Sequence, residues 1–243
     1  MSAESDRKAH LYIDPLRESY RESITEHAER VRSLEGHNTA LLVIDLQYLD
    51  AAPGYGVFAD AERSGVPLEA QAYYFDRLHN LVLPNVQRLQ QTFRAHQLEV
   101  IHTRIQSLTR DGRDRGPGHK RLGLHAAPGS KEAEFLPQVA LQGDEIVINK
   151  TASGVFNSTN LEYVLRNLSI TGLFVVGVYS NECVSTAIRD ACDLGFYVTL
   201  IEDACATVTP ELQQATITTM RDRYARVMNT DQAVVEINRV VET

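Results

Sequence analysis

The stretch that decides the fold is "LFVVGVYSNECVSTAIRDACDLGFYVTLIE", residues 173–202. It opens with an apolar run, breaks at Tyr179–Glu182, resumes as a helical pattern and ends in a second apolar run. Val184, Ala187, Ile188 and Ala191 recur at i, i+3, i+4 and i+7, the spacing of one helix face, and Gly195 supplies the stop. Strand, helix and strand in so short a span form a βαβ unit, whose strands are parallel and joined by a right-handed crossover. Neither run alternates polar with apolar, so both strands are buried on two faces.

Working outward, the same texture repeats. "TALLVID" (39–45), "LEVIHTR" (98–104), "EIVIN" (145–149) and the weaker "ARVMNT" (225–230) join 173–178 and 196–202 as strands, with helical patterns near 76–96, 158–167, 182–194 and 210–223. Thr209-Pro210-Glu211 is a helix start, with a cap, a proline at the first position and an acid in the first turn. The predicted fold is α/β: three layers, doubly wound, around a mostly parallel six-stranded sheet of Rossmann-like kind. Residues 1–36 read as an N-terminal arm with one amphipathic helix, its apolar face made by Leu16, Tyr20, Ile24, Ala28 and Val31, and residues 37–243 as the domain proper. The arm either packs on its own domain or grips another subunit. "TRDGRDRGPGHKRLGLH" (109–125) is a long charged loop, a class of segment that is often functional.

A net charge of −8 argues against nucleic acid or an anionic membrane as the partner. No run approaches a membrane span and the N-terminus lacks a signal-type apolar stretch. Three cysteines without a CxxC pair suit reduced thiols in a cytoplasmic enzyme. "DLQYLDAAPGYG" follows the first strand where a dinucleotide site would need GxGxxG, so no such cofactor is expected.

Ligands of open parallel sheets bind beyond the carboxyl ends of the strands. Asp45 ends the first strand, Lys150 follows the third and Cys183 opens the helix after the fourth. A helix N-terminus and a nearby cation favour a thiolate nucleophile. An acid beside it carries the proton from thiol to leaving amine. Cys192 and Cys205 read as packing residues.

"ALLVIDLQ", "INKTASGVFNSTNLE" and "GVYSNECVSTAIRDACDLGFYVTLIEDACAT" together resemble the isochorismatase-like cysteine hydrolases over residues 38–230. The resemblance implies that Asp45, Lys150 and Cys183 are a catalytic triad working through a thioester. It also implies a cis peptide between Val178 and Tyr179 that aims the Tyr179 and Cys183 N–H groups at an oxyanion. The metal site of the nicotinamidase branch has no counterpart here: His102 lies in a strand, His119 and His125 read as ordinary loop histidines, and no metal or other cofactor is expected. The expected reaction is cleavage of a small amide, ureido or carbamoyl compound with release of ammonia. A metal-free pyridine amidase and a non-catalytic binding module are the alternatives. Expected substrate contacts are Gln47, Gln106, Phe156, Asn157 and Tyr179, with Arg104 and Arg115 clamping a carboxylate. The assembly is expected to be a homodimer or homotetramer.

Overall fold

The alternation of apolar runs and helical patterns folds into three layers. The computed structural model describes residues 16–241. Its six strands, β1 (Thr39–Ile44), β2 (Glu99–Ile105), β3 (Ile146–Lys150), β4 (Gly172–Val178), β5 (Tyr197–Ala206) and β6 (Arg226–Met228), form one sheet. Their order is β3-β2-β1-β4-β5-β6, and every pairing is parallel. The chain winds outward from β1 in one direction and from β4 in the other. A crevice therefore opens between the carboxyl ends of β1 and β4, the place where such sheets bind ligands.

The helices are α1 (Arg17–Ile24), α2 (Glu29–Glu35), α3 (Leu68–Arg77), α4 (Leu83–Ala95), α5 (Leu161–Asn167), α6 (Ser185–Asp193), α7 (Pro210–Met220) and α8 (Thr230–Val241), with shorter turns between them. All of β1 is buried, and its pleat divides the core in two. Leu41 and Val43 pack with Leu34, Tyr74, Val86, Phe93 and Ile237 of α2, α3, α4 and α8. Ala40, Leu42 and Ile44 pack with Leu165, Ile188 and Ile217 of α5, α6 and α7. Each fully buried aliphatic side chain of this kind stabilises the fold by about 1.5–3 kcal/mol.

Four expectations are adjusted. The single N-terminal helix is two, broken at residues 25–28, and Leu16 and Val31 are exposed rather than apolar contacts. The cause is polar anchoring: Arg17 and Thr25 both bind Asp222, and the buried Arg30 donates to the Val198 carbonyl at 2.8 Å. The helix expected near 76–96 starts earlier, at Leu68, and passes through a wide turn in which the Leu83 N–H reaches the Leu78 carbonyl. Pro84 follows at once; a wide turn accommodates the backbone bond that proline cannot make. A terminal helix, α8, buries Ala233, Ile237 and Val240 along one face where the sequence showed no element. The charged loop contains a short helix, Pro117–Leu122, begun by a proline and ended at Gly123 with φ +70°.

Candidate active site

At the end of β1 the chain turns sharply at Asp45, whose φ of +54° lies in the left-handed region that aspartate tolerates better than most residues. Its N–H donates to the Thr103 carbonyl at 3.1 Å, and the Thr103 hydroxyl donates to Oδ1 at 2.9 Å, so β2 fixes both backbone and carboxyl. At the end of β4, Gly177 has φ +119°, and a Cβ there would lie 2.1 Å from the Ile44 carbonyl oxygen. Only glycine lets β4 come this close to β1. The following peptide, Val178–Tyr179, is cis.

The polar break then serves to hold a turn. The Tyr179 carbonyl accepts the N–H groups of Glu182 at 3.0 Å and Val184 at 3.3 Å, a wide loop of backbone around Cys183. Ser180 Oγ donates to Gln213 Oε1 at 2.7 Å, the Thr207 hydroxyl donates to Asn181 Oδ1, and Tyr179 OH donates to the Asp50 carbonyl at 3.0 Å. Short wide turns of this kind recur at functional sites because they re-aim one side chain without ending the helix.

The three strand-end residues meet. Lys150 is fully buried, with Nζ 2.8 Å from Asp45 Oδ2, 3.3 Å from Cys183 Sγ and 3.1 Å from the Ala152 carbonyl. The Asp45–Lys150 contact is a buried ion pair, with Oδ2 facing the ammonium. Burial opposes the Lys150 ammonium, but Asp45 and Cys183 outweigh it and raise its pKa. Burial likewise pushes the Cys183 thiol well above its usual range; Lys150 opposes this, while Asp45 and Asp50 add to it. The helix end and the lysine favour a thiolate, as expected, but desolvation opposes it and shifts the balance towards the neutral thiol.

The remaining expected contacts divide. Gln106 lies half-buried at the end of β2, its N–H donating to the Lys150 carbonyl at 3.1 Å, beside the triad. Tyr179 is buried against Phe58 and Tyr74. Gln47 is corrected: its amide donates to the Ile105 and Glu132 carbonyls and accepts the Ile105 N–H, so it staples β2 to a loop and, fully buried, has no N–H left for a ligand. Arg104 bonds Asn149 Oδ1 and the Ala133 carbonyl, and Arg115 the Gly112 and Leu124 carbonyls, which takes two of the five N–H groups of each guanidinium. Phe156 packs into the second core near Phe196. Exposed Asn157 lines a groove with Glu162, Asp190 and Leu194 on the flank of α6, away from the thiol at its start. A cleft of about 350 Å³ is lined by Leu49, Val57, Arg63, Arg121, Leu122 and His125 but by none of the triad, whose three residues are buried.

Two residues that sequence reasoning passed over stand close to the triad. Asp50, on the turn after β1, is buried; burial and then Asp45 raise its pKa well above the carboxylate range. His119, read as an ordinary loop histidine, is buried instead; burial and then Lys150 lower its pKa. An acid five residues after Asp45, in an otherwise apolar turn, was the available signal for the first. For the second there was none, since the loop's path is set by contacts distant in sequence. Among the described residues no group of three or more His, Cys, Asp or Glu side chains is placed to hold a metal ion. No helix among them is long and apolar enough to cross a membrane.

Fold and site together define a doubly wound α/β protein with a buried thiol–carboxylate–ammonium cluster at the switch point of its sheet. The isochorismatase domain model matches residues 39–232, and the chain belongs to the isochorismatase family, whose resemblance was visible in its motifs. It is 25% identical over 210 residues to the isochorismatase-family protein YwoC of Bacillus subtilis, covering 84% of this chain and 97% of that one. It is 27% identical over 158 residues to N-carbamoylsarcosine amidase of an Arthrobacter species, covering 63% and 60%. With ureidoacrylate amidohydrolase RutB of Rhizobium rhizogenes it shares 28% over 118 residues, 48% of each chain. A cysteine hydrolase structure from Pseudomonas syringae pv. phaseolicola has the same fold, with TM-score 0.68 and 24% identity over 84% of this chain and 94% of that one. Membership places the protein with the isochorismatase-family hydrolases, and two of the relatives are named as an amidase and an amidohydrolase.

Proposed function

We propose that the protein is a cysteine amidohydrolase that cleaves a small amide, ureido or carbamoyl compound through a thioester. The observation that carries this reading is the position of Lys150 Nζ, within 2.8 Å of Asp45 Oδ2 and 3.3 Å of Cys183 Sγ. Burial favours the neutral thiol, so Asp45 takes its proton as the sulfur attacks the carbonyl carbon, and Lys150 stabilises the anionic sulfur in transit. The carbon–sulfur bond forms, and the carbonyl pair moves to oxygen, facing the Tyr179 and Cys183 N–H groups. The pair returns, the carbon–nitrogen bond breaks, and Asp45 passes its proton to the departing nitrogen, which leaves as ammonia. Water then attacks the thioester, Asp45 accepts one of its protons, the carbon–sulfur bond breaks, and that proton returns to the thiol as the acid departs.

The names of two relatives, a carbamoylsarcosine amidase and a ureidoacrylate amidohydrolase, support the substrate class. Ammonia release is to be measured over nicotinamide, biuret, N-carbamoyl amino acids and ureidoacrylate-like amides, with quenched samples searched by mass spectrometry for an acyl group on Cys183. Turnover of at least one, lost in Cys183→Ala, is expected. No turnover, together with no adduct on Cys183, would leave a binding module on the same fold.

A further inference from the structure

Among the buried side-chain atoms that lack a hydrogen-bond partner within the chain are Asp50 Oδ2 and His119 Nδ1. Asp50 is only 4% exposed and His119 5%, so water does not replace the missing partners cheaply. Folded chains rarely leave such atoms unpaired, so each calls for a partner from outside the chain, whether water, ion or ligand.

The two residues come from different elements, and each is tied by its backbone to a segment that holds a member of the triad. Asp50 sits on the short helix Tyr48–Ala51, five residues beyond Asp45. Its carbonyl receives both the Tyr179 hydroxyl at 3.0 Å and the Tyr74 hydroxyl at 2.8 Å, so its backbone is locked to the residue that starts the nucleophile turn. His119 is carried by the helix Pro117–Leu122, which docks on the end of β3. The Gly116 N–H donates to the Thr151 carbonyl at 2.8 Å, and a Cβ on Gly116 would lie 3.0 Å from that oxygen and 3.4 Å from Ala152 Cβ. The Ala152 carbonyl in turn accepts from Lys150 Nζ. Each residue is near enough to feel the charges of Lys150 and Asp45.

We infer that Asp50 and His119 are substrate-binding residues that receive N–H donors on the two sides of the scissile carbonyl, so that the site selects a ureido group over a simple carboxamide. This rests on the amidohydrolase reading above. A ureido group, R–NH–CO–NH2, carries N–H bonds on both nitrogens flanking its carbonyl; a carboxamide carries them on one side only. Burial favours the neutral form of both the Asp50 carboxyl and the His119 imidazole, and in that form each offers an acceptor lone pair. Replacing the inner N–H by CH2 leaves one of these buried acceptors unpaired, which sites of this kind reject strongly.

Pairs of compounds that differ by that one exchange provide the test: biuret against malonamide, and N-carbamoylglycine against succinamic acid. Ammonia release is measured for each, and kcat/KM compared within pairs. At least one ureido member is expected to exceed its methylene counterpart by about 10–100-fold. Asp50→Leu and His119→Leu should each remove most of that ratio, chiefly through KM. Asp50→Asn and His119→Gln, which keep an acceptor, should retain it. Far-UV circular dichroism checks folding, and if Asp50→Leu fails to fold, His119→Leu decides. A wild-type ratio near one, or one unchanged in the folded Leu variants, overturns the inference while the amidohydrolase reading stands. No turnover of any amide or ureide, with no adduct on Cys183, overturns both.

Discussion

Replacing Lys150 by methionine separates what the buried ion pair contributes to folding from what it does in chemistry. Lys150 is 0% exposed, and its Nζ is 2.8 Å from Asp45 Oδ2, itself 0% exposed as a residue. At an effective dielectric of about 20, unit charges at that separation attract by about 6 kcal/mol. Removing both charges from water costs several kcal/mol per ion, so the intact pair is close to neutral for stability. Removing one partner is different, because the other stays buried and unpaired; the expected loss for Lys150→Met is about 3–5 kcal/mol. That is a large part of the 5–15 kcal/mol typical of a whole domain. Asp45→Asn removes the opposite charge, and asparagine, like aspartate, tolerates a positive φ. The double variant should therefore be less destabilised than the sum of the singles by about 2 kcal/mol or more. Urea unfolding of the four proteins at pH 7 measures this. A cost below about 1 kcal/mol for Lys150→Met, or simple additivity, would show that the pair is not buried as described.

Gly177→Ala should destabilise by about 3 kcal/mol or more, since both its φ of +119° and the 2.1 Å approach to Ile44 oppose a side chain; thermal unfolding reads it, and a change below about 1 kcal/mol contradicts the close approach. Alkylation of Cys183 by iodoacetamide, followed site by site by mass spectrometry, should keep accelerating above pH 9, because burial holds its thiol above the ordinary range. A plateau below pH 8 would indicate a resting thiolate. Burial, partly offset by Glu145, lowers the His102 pKa to about 4, whereas the unfolded chain has a value near 6.5. Between those values the unfolded state binds more protons, so stability is lost as pH falls from about 6.5 to 4, by up to about 3 kcal/mol. Unfolding measured across that window should flatten in His102→Gln, and an unchanged slope assigns the effect to other groups.

What was legible in the sequence, and what was not, follows the range of the interactions involved. The strands could be read because burial on both faces leaves an unbroken apolar run, and β1 shows it in Ala40–Ile44, all buried. The meeting of Asp45, Lys150 and Cys183 could be read because the carboxyl ends of the strands lie along one edge of a parallel sheet. α8 was missed because a short apolar run hid the spacing of Ala233, Ile237 and Val240. Side-chain roles were harder, since they depend on which backbone groups a distant loop leaves unpaired. Gln47 looked like a ligand contact from its place beside Asp45, yet the ends of β2 and the 132–135 segment present it with two carbonyls and an N–H, and it satisfies those instead. The arginines hold carbonyls as well: Arg104 donates to that of Ala133, and Arg115 to those of Gly112 and Leu124. His119 is the converse. Its loop reads as charged and open, but Gly116 lets the chain settle on Thr151 and Ala152, and that contact carries the imidazole from solvent to the edge of the Lys150–Asp45 pair.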